Sequence, residues 1–74
     1  MTDIRGDYKV VIEPLSEADG GGFLATVPEL AGCMSDGESR AEALANVEDA
    51  IETWIHCARK AGEPIPEPRL HRAA

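Results

Sequence analysis

The chain has 74 residues, enough for one small domain that removes only about 60% of its unfolded surface from water. A hydrophobic content of 43% is normal for a globular protein and argues against disorder. Fourteen acidic and seven basic side chains give a formal net charge of −7, which disfavours direct binding to nucleic acid or anionic membranes and favours basic partners.

The first two predicted elements form a β-hairpin. Residues 8–13 are rich in β-branched and aromatic side chains and are closed by Pro14, which predicts a strand. Residues 23–27 resume the strand pattern and stop at Pro28. The polar segment between them ends in three glycines, a composition typical of a loop that reverses the chain direction.

A short third strand and a helix follow. Residues 30–35 are compatible with a strand, and the Asp-Gly pair after them is a turn signal. Ser39 and Glu42 have capping-box spacing, in which the serine hydroxyl accepts an N–H bond and the glutamate reaches back to the serine N–H. The helix is therefore predicted to begin at Arg40.

An apolar stripe marks one face of this helix. Arg59 and Lys60 fall in its last turn, and Gly62 is placed to act as a left-handed C-cap. Three prolines in residues 63–74 predict an extended tail. The stripe recurs at three- and four-residue spacing and consists of Leu44, Val47, Ile51, Trp54, Ile55 and Ala58.

These elements predict one α+β domain over residues 1–74, with residues 1–7 flexible. An antiparallel sheet of about three strands, in the order β-β-β-α, packs against one amphipathic helix. One helix covers one face of a sheet, yet Val11 and Leu24 place apolar side chains at the opposite parity from Ile12 and Phe23. Together with the open sheet edges, this favours a homodimer, a higher homo-oligomer or a protein partner. Alternatively, these side chains are the scattered exposed apolar residues that every protein has.

The residues that could carry chemistry lack a recognisable pattern. The soft metal ligands are Cys33, His56, Cys57 and His71, and none has the spacing of a metal site, so no metal or cofactor is expected. A Cys33 nucleophile activated by His56 would be opposed by the acids around the cysteine, and a buried apolar role fits it better.

Clustered acids are a second possible source of chemistry, because metal-dependent nucleases use them to hold cations. Glu13 on the first strand could join Glu48, Asp49 or Glu52 on the helix. The helix acids mostly avoid the apolar stripe, however, and a solvated acidic face is the usual fate of such residues. No enzymatic activity is therefore expected.

The location is expected to be cytoplasmic. The first seven residues are charged with no apolar run behind them, and no stretch approaches the roughly 20 apolar residues of a spanning helix. Cys33 and Cys57 are accordingly expected to be reduced thiols.

The join between sheet and helix resembles the HicB family of antitoxins. Residues 27–39, VPELAGCMSDGES, and residues 42–47, EALANV, match the family pattern P-x-L-x-G-C-x-x-x-G-x-S/T-x-x-E-A-L-x-N. The resemblance extends over about residues 8–68. It implies a partial ribonuclease-H-like fold and a protein that inhibits a small basic HicA toxin, an mRNA-cleaving ribonuclease.

The acids in this motif are the proposed toxin contacts, because an acidic domain is steered toward a basic RNA-binding surface. They are Glu29, Asp36, Glu38 and Glu42. The alternative is an orphan module that oligomerises without a toxin. Longer family members continue into a DNA-binding segment after the helix; little sequence follows the helix here, so direct operator binding is not expected.

Overall fold

The computed structural model describes residues 7–68. Within that range the predicted α+β fold and the β-β-β-α order are confirmed. None of the helices in this range combines the length and apolar character needed to cross a membrane. The predicted flexible segment 1–7 lies almost wholly outside the described residues, as do residues 69–74 of the predicted tail. The regular elements are β1 (Val11–Pro14), β2 (Phe23–Thr26), β3 (Met34–Gly37) and α1 (Arg40–Ala61).

The three strands form one antiparallel sheet in the order β1-β2-β3, which confirms the predicted hairpin. The loop between β1 and β2 contains a single 3-10 turn, Glu17–Asp19, capped by the Ser16 hydroxyl. Gly22 closes this loop with φ of +75°, and a Cβ there would lie 2.5 Å from the Gly37 carbonyl oxygen. The positive φ and the close approach both require glycine at this position.

The first strand begins and ends later than the sequence predicts. The strand ends at Pro14, but the proline is included as its last residue and pairs with Phe23. This is possible because β1 is an edge strand, where a proline can sit without removing a ladder donor. Tyr8, predicted to open the strand, lies outside it and is buried in the core.

The prediction of a third strand over residues 30–35 is wrong in its bounds. Leu30 belongs to a tight turn: its N–H donates to the Val27 carbonyl, and its own carbonyl accepts from the Cys33 N–H. The Leu30 side chain is only 1% exposed, so this turn residue contributes an apolar side chain to the core. The Asp36-Gly37 pair, predicted as a turn, forms the end of β3.

The helix has the predicted ends. It begins at Arg40, and the Ser39 hydroxyl accepts from the Glu42 N–H at 3.1 Å. The return bond differs from the predicted capping box, because the Glu42 carboxylate accepts from the Glu38 N–H at 3.3 Å. At the other end Gly62, with φ of +70°, caps the helix as predicted.

The core lies between α1 and one face of the sheet. Most of the predicted stripe packs there, but Leu44 is 39% exposed, and Ala43 is buried in its place. The first turn of the helix lies so close to Gly37 that a Cβ on Gly37 would lie 2.4 Å from the Ala43 backbone nitrogen. The buried apolar residues are Tyr8, Ala25, Val27, Leu30, Cys33, Ala43, Val47, Ile51, Ile55 and Ala58.

The start of the predicted tail crosses back over the domain without regular secondary structure. Ile65 packs against the core, and the Tyr8 hydroxyl donates a hydrogen bond to the Pro66 carbonyl. Residues 63–68 therefore close the end of the domain where the chain enters β1.

Candidate protein-binding surface

Three of the four acids proposed from the sequence lie together at one end of the sheet. Asp36 is in β3, Glu38 is in the link to the helix, and Glu42 is in the first turn of α1. They line an open groove of about 540 Å³ with the glycine loop between β1 and β2. All three acids are exposed. We call Asp36, Glu38 and Glu42 the acidic corner.

Two hydrogen bonds between side chains and backbone groups fix the backbone of the acidic corner. The Asn46 side-chain amide donates to the Asp36 carbonyl at 2.8 Å, which ties the second turn of the helix to β3. The Glu42 carboxylate accepts a hydrogen bond from the Glu38 N–H. The exposed Asp36 and Glu38 side chains therefore project from a braced backbone. Asn46 was not among the proposed site residues, although it belongs to the motif.

Glu29 lies apart from the acidic corner. It follows Pro28 in the tight turn, is half-buried, and accepts a hydrogen bond from the Lys9 N–H at 3.3 Å. With Pro66 and Glu67 it lines a separate small cavity of about 320 Å³. Glu29 thus contacts the start of the domain, and the structure does not bring it to the other three acids; its contact with a toxin stays a prediction.

The sheet has one face covered by the helix and one that α1 does not cover. Ala25 is fully buried under α1, and its cross-strand partners Ile12 and Ser35 lie on the same face. Side chains alternate along a strand, so the neighbours of these residues point the other way. The resulting helix-free face consists of Val11, Glu13, Leu24, Thr26, Met34 and Asp36.

A second, mainly apolar groove of about 740 Å³ lies between residues 31–34 and the C-terminal half of α1. The Trp54 indole N–H donates to the Ala31 carbonyl at 2.9 Å and forms part of its wall. Cys57 and Ala61 also line it. This groove has no convergent set of polar groups of the kind that orients a small-molecule ligand.

The cysteine and histidines considered as a possible nucleophile, base or metal ligands lie in different environments. Cys33 is buried in the core, and burial raises the pKa of its thiol, which disfavours the reactive thiolate. His56 is exposed on the helix, and His71 lies outside the described residues. Cys57 is exposed and not joined to Cys33.

The alternative acid cluster is also separated by the fold. Glu13 belongs to the helix-free face, whereas Glu48, Asp49 and Glu52 are on the helix that covers the other face. The sheet therefore stands between them. Among residues 7–68, His, Cys, Asp and Glu side chains form no group of three that could hold a metal ion.

Comparison with known proteins identifies relatives of this sequence. A family model described as the HicB-like antitoxin of bacterial toxin–antitoxin systems matches residues 8–72. A UPF0150 protein of Thermoplasma acidophilum is 36% identical over 59 residues, covering 80% of this chain and 81% of that protein. A UPF0150 protein of Synechocystis is 38% identical over 64 residues, covering 86% of this chain and 77% of the relative.

The family match spans the sheet, the acidic corner and the helix, and the resemblance in the motif at residues 27–47 is thereby confirmed. The chain belongs to the HicB-like antitoxin family of bacterial toxin–antitoxin systems.

Proposed function

We propose that this chain is an antitoxin that neutralises a small, basic, HicA-type mRNA-cleaving toxin by covering the toxin's RNA-binding surface. The observation that carries the proposal is the acidic corner, three exposed carboxylates held on a braced backbone within the antitoxin motif. An RNA-binding surface is basic because it must attract phosphates, so a cluster of carboxylates competes for the same charges.

The charge of the whole chain supports the same partner. A net charge of −7 accelerates encounter with a basic protein and opposes encounter with RNA or DNA. The proposal therefore assigns the chain a protein partner, no direct contact with nucleic acid, no catalytic activity and no cofactor. It places this action in the cytoplasm, where messenger RNA is the target and thiols such as the exposed Cys57 stay reduced.

Co-expression with a HicA-type toxin, or with any small basic protein encoded beside the gene, tests the proposal. The expected result is restored growth of cells that this protein alone arrests, together with a complex that elevated salt dissociates. A neighbouring basic protein that neither binds the chain nor is neutralised by it would refute the proposal.

A charge-matched pair of variants tests the acidic corner within the same complex. We expect Asp36→Asn with Glu38→Gln to weaken binding by about tenfold, because two charges facing the partner are removed. Asp49→Asn with Glu63→Gln removes two exposed acids from the helix and its end. The second pair should bind like the wild type; equal losses in both pairs would show that only net charge matters.

Self-association is a second candidate function. The sheet order leaves the outer edges of β1 and β3 without a strand partner among residues 7–68. Open edges pair readily with another chain, which supports the predicted homodimer or higher oligomer. Sedimentation of the chain alone tests this prediction, and a monomer at high concentration would contradict it. The family membership favours the antitoxin role over an orphan module.

A further inference from the structure

We propose that the helix-free face is the apolar part of the docking surface for the basic toxin, an inference that rests on the proposed function. The face joins an apolar strip, Val11, Leu24, Thr26 and Met34, to two acids, Glu13 and Asp36. It would receive a partner surface with an apolar centre and basic residues at its rim.

The strand register builds this surface from two rows. Val11, Thr26 and Met34 are directly paired across the three strands and form one row. Glu13, Leu24 and Asp36 form the next row, with a carboxylate on each outer strand and the leucine between them. Interfaces commonly have this composition, an apolar centre beside polar residues at the margin.

The apolar row is accessible. Met34 is 53% exposed and is the most exposed large apolar side chain among residues 7–68. In the same row Val11 and Thr26 are half-buried, as is Leu24 in the neighbouring row. The only long helix within the described range packs on the opposite face, so it leaves this one uncovered.

The charges on the helix-free face favour a basic partner over a second copy of the chain. The strands contain no basic residue, and three of the four basic residues between positions 7 and 68, Arg40, Arg59 and Lys60, are on the helix. A second copy docked face to face would bring Glu13 and Asp36 against their own equivalents in a chain of net charge −7. Like charges disfavour that contact, whereas basic residues at the rim of a partner would complement both acids.

The surface is also continuous with the acidic corner. Asp36 belongs to both, because its side chain is on the helix-free face and its carbonyl accepts from Asn46 on the helix. A basic partner could therefore contact the corner and the apolar row at the same time. The apolar groove beside Trp54 shares Met34 with the helix-free face but continues toward the other end of the helix, away from the acidic corner.

A matched pair of arginine substitutions tests the inference. Met34 and Leu44 are the two exposed large apolar residues of the described chain, one on the helix-free face and one on the helix. The probe is a purified small basic toxin of the HicA type, with affinity measured by calorimetry. We expect Met34→Arg to weaken binding by about 30-fold or more, because it replaces an exposed apolar contact by a charge that repels a basic partner, and Leu44→Arg to change it by less than about threefold.

A second measurement reports on the face without a substitution. The chain has only two methionines, Met1 and Met34, so methyl-labelled methionine gives two resonances. The Met34 methyl resonance should shift or broaden on addition of the basic protein. An unchanged Met34 resonance at saturation would overturn the proposed surface, even if Met34→Arg binds weakly because it folds poorly.

The outcomes separate this inference from the proposed function. Failure of the wild-type chain to bind the basic protein would refute the proposed function, and the helix-free face would then have no proposed partner. Binding that is equally strong in Met34→Arg would leave the antitoxin role intact and reject the surface. A homodimer that Met34→Arg dissociates in the absence of the basic protein would assign the face to a second copy and overturn the inference.

Discussion

Gly37 occupies the closest approach between the sheet and the helix. A Cβ at this position would lie 2.4 Å from the Ala43 backbone nitrogen and 2.8 Å from the Glu42 carbonyl carbon. Backbone atoms at the start of a capped helix cannot move aside easily. We expect Gly37→Ala to lower the free energy of unfolding by about 2–3 kcal/mol, measured by urea denaturation.

Gly32→Ala separates this steric effect from backbone strain. Gly32 has φ of +78°, but a Cβ there would meet nothing within 4 Å. Its substitution should cost only about 1 kcal/mol for the left-handed conformation. Equal losses in the two variants would mean that the helix start yields to the added methyl group.

Tyr8 predicts a pH dependence of stability. Burial, and then the negative charges of Glu29 and Glu67, raise the pKa of the Tyr8 phenol above its ordinary value. The folded chain thus holds the phenol proton more tightly than the unfolded chain. The resulting stability is fully present below about pH 10 and is lost as the pH rises through the folded-state pKa.

Urea midpoints at about pH 9 and about pH 11 for the wild type and Tyr8→Phe test this dependence. Tyr8→Phe should be less stable at the lower pH, by about 1 kcal/mol, because it loses the hydrogen bond to Pro66. It should also lose less stability than the wild type at the higher pH. Parallel pH profiles would contradict a tyrosine origin.

Leu44 and Pro14 show what the residue pattern leaves undetermined. Helical spacing admits either Ala43 or Leu44 at the start of the stripe, and which of them is buried depends on how the helix is rotated against the sheet in the assembled fold. Pro14 was predicted to end its strand because proline lacks an N–H. Whether that N–H is needed depends on β1 being at the edge, which is a property of the assembled sheet.

At the scale of elements, the helix was predicted well because its signals are local. Ser39 and Gly62 each bond to backbone groups within four residues of their own position, and both cap the helix as predicted. The predicted bounds of the third strand were wrong because the apolar Leu30 was assigned to it. Leu30 is apolar because its side chain is buried in the core, although its backbone forms a turn. That misplacement also hid the pairing of Met34 with Thr26, on which the helix-free face depends.

The cap at Ser39 should stabilise the element that covers the core. Ser39→Ala removes the acceptor for the Glu42 N–H and should lower the free energy of unfolding by about 1 kcal/mol. Ser16→Ala makes the same change at the three-residue 3-10 turn, where all turn residues are exposed. The Ser16 variant should lose clearly less stability in parallel thermal melts. A larger loss at Ser16 would contradict the argument.

At the scale of the whole molecule, the site could be predicted only in part. The motif acids Asp36, Glu38 and Glu42 converge because a strand, a two-residue link and a helix start are consecutive in sequence. Glu29 is separated from them by the tight turn at Leu30. The sequence shows that apolar residues occupy both alternating sets of positions in the strands. Which residues share the helix-free face could be determined only from the register of the three strands.

Net charge gives salt opposite effects on the chain and on its proposed complex. Raising sodium chloride from about 0.05 M to about 0.5 M shortens the Debye length from about 14 Å to about 4 Å. A chain of net charge −7 repels itself, so screening should raise the urea midpoint of the free protein.

The same change should weaken the complex with the basic protein by roughly tenfold, because it screens the attraction between the acidic corner and basic groups. Sedimentation or calorimetry across the salt series measures the complex, while denaturation measures the free chain. An affinity that rises with salt would instead indicate that apolar contacts on the helix-free face dominate and that the acids contribute little. The opposite signs therefore distinguish a complex steered by charge from one held by hydrophobic contact alone.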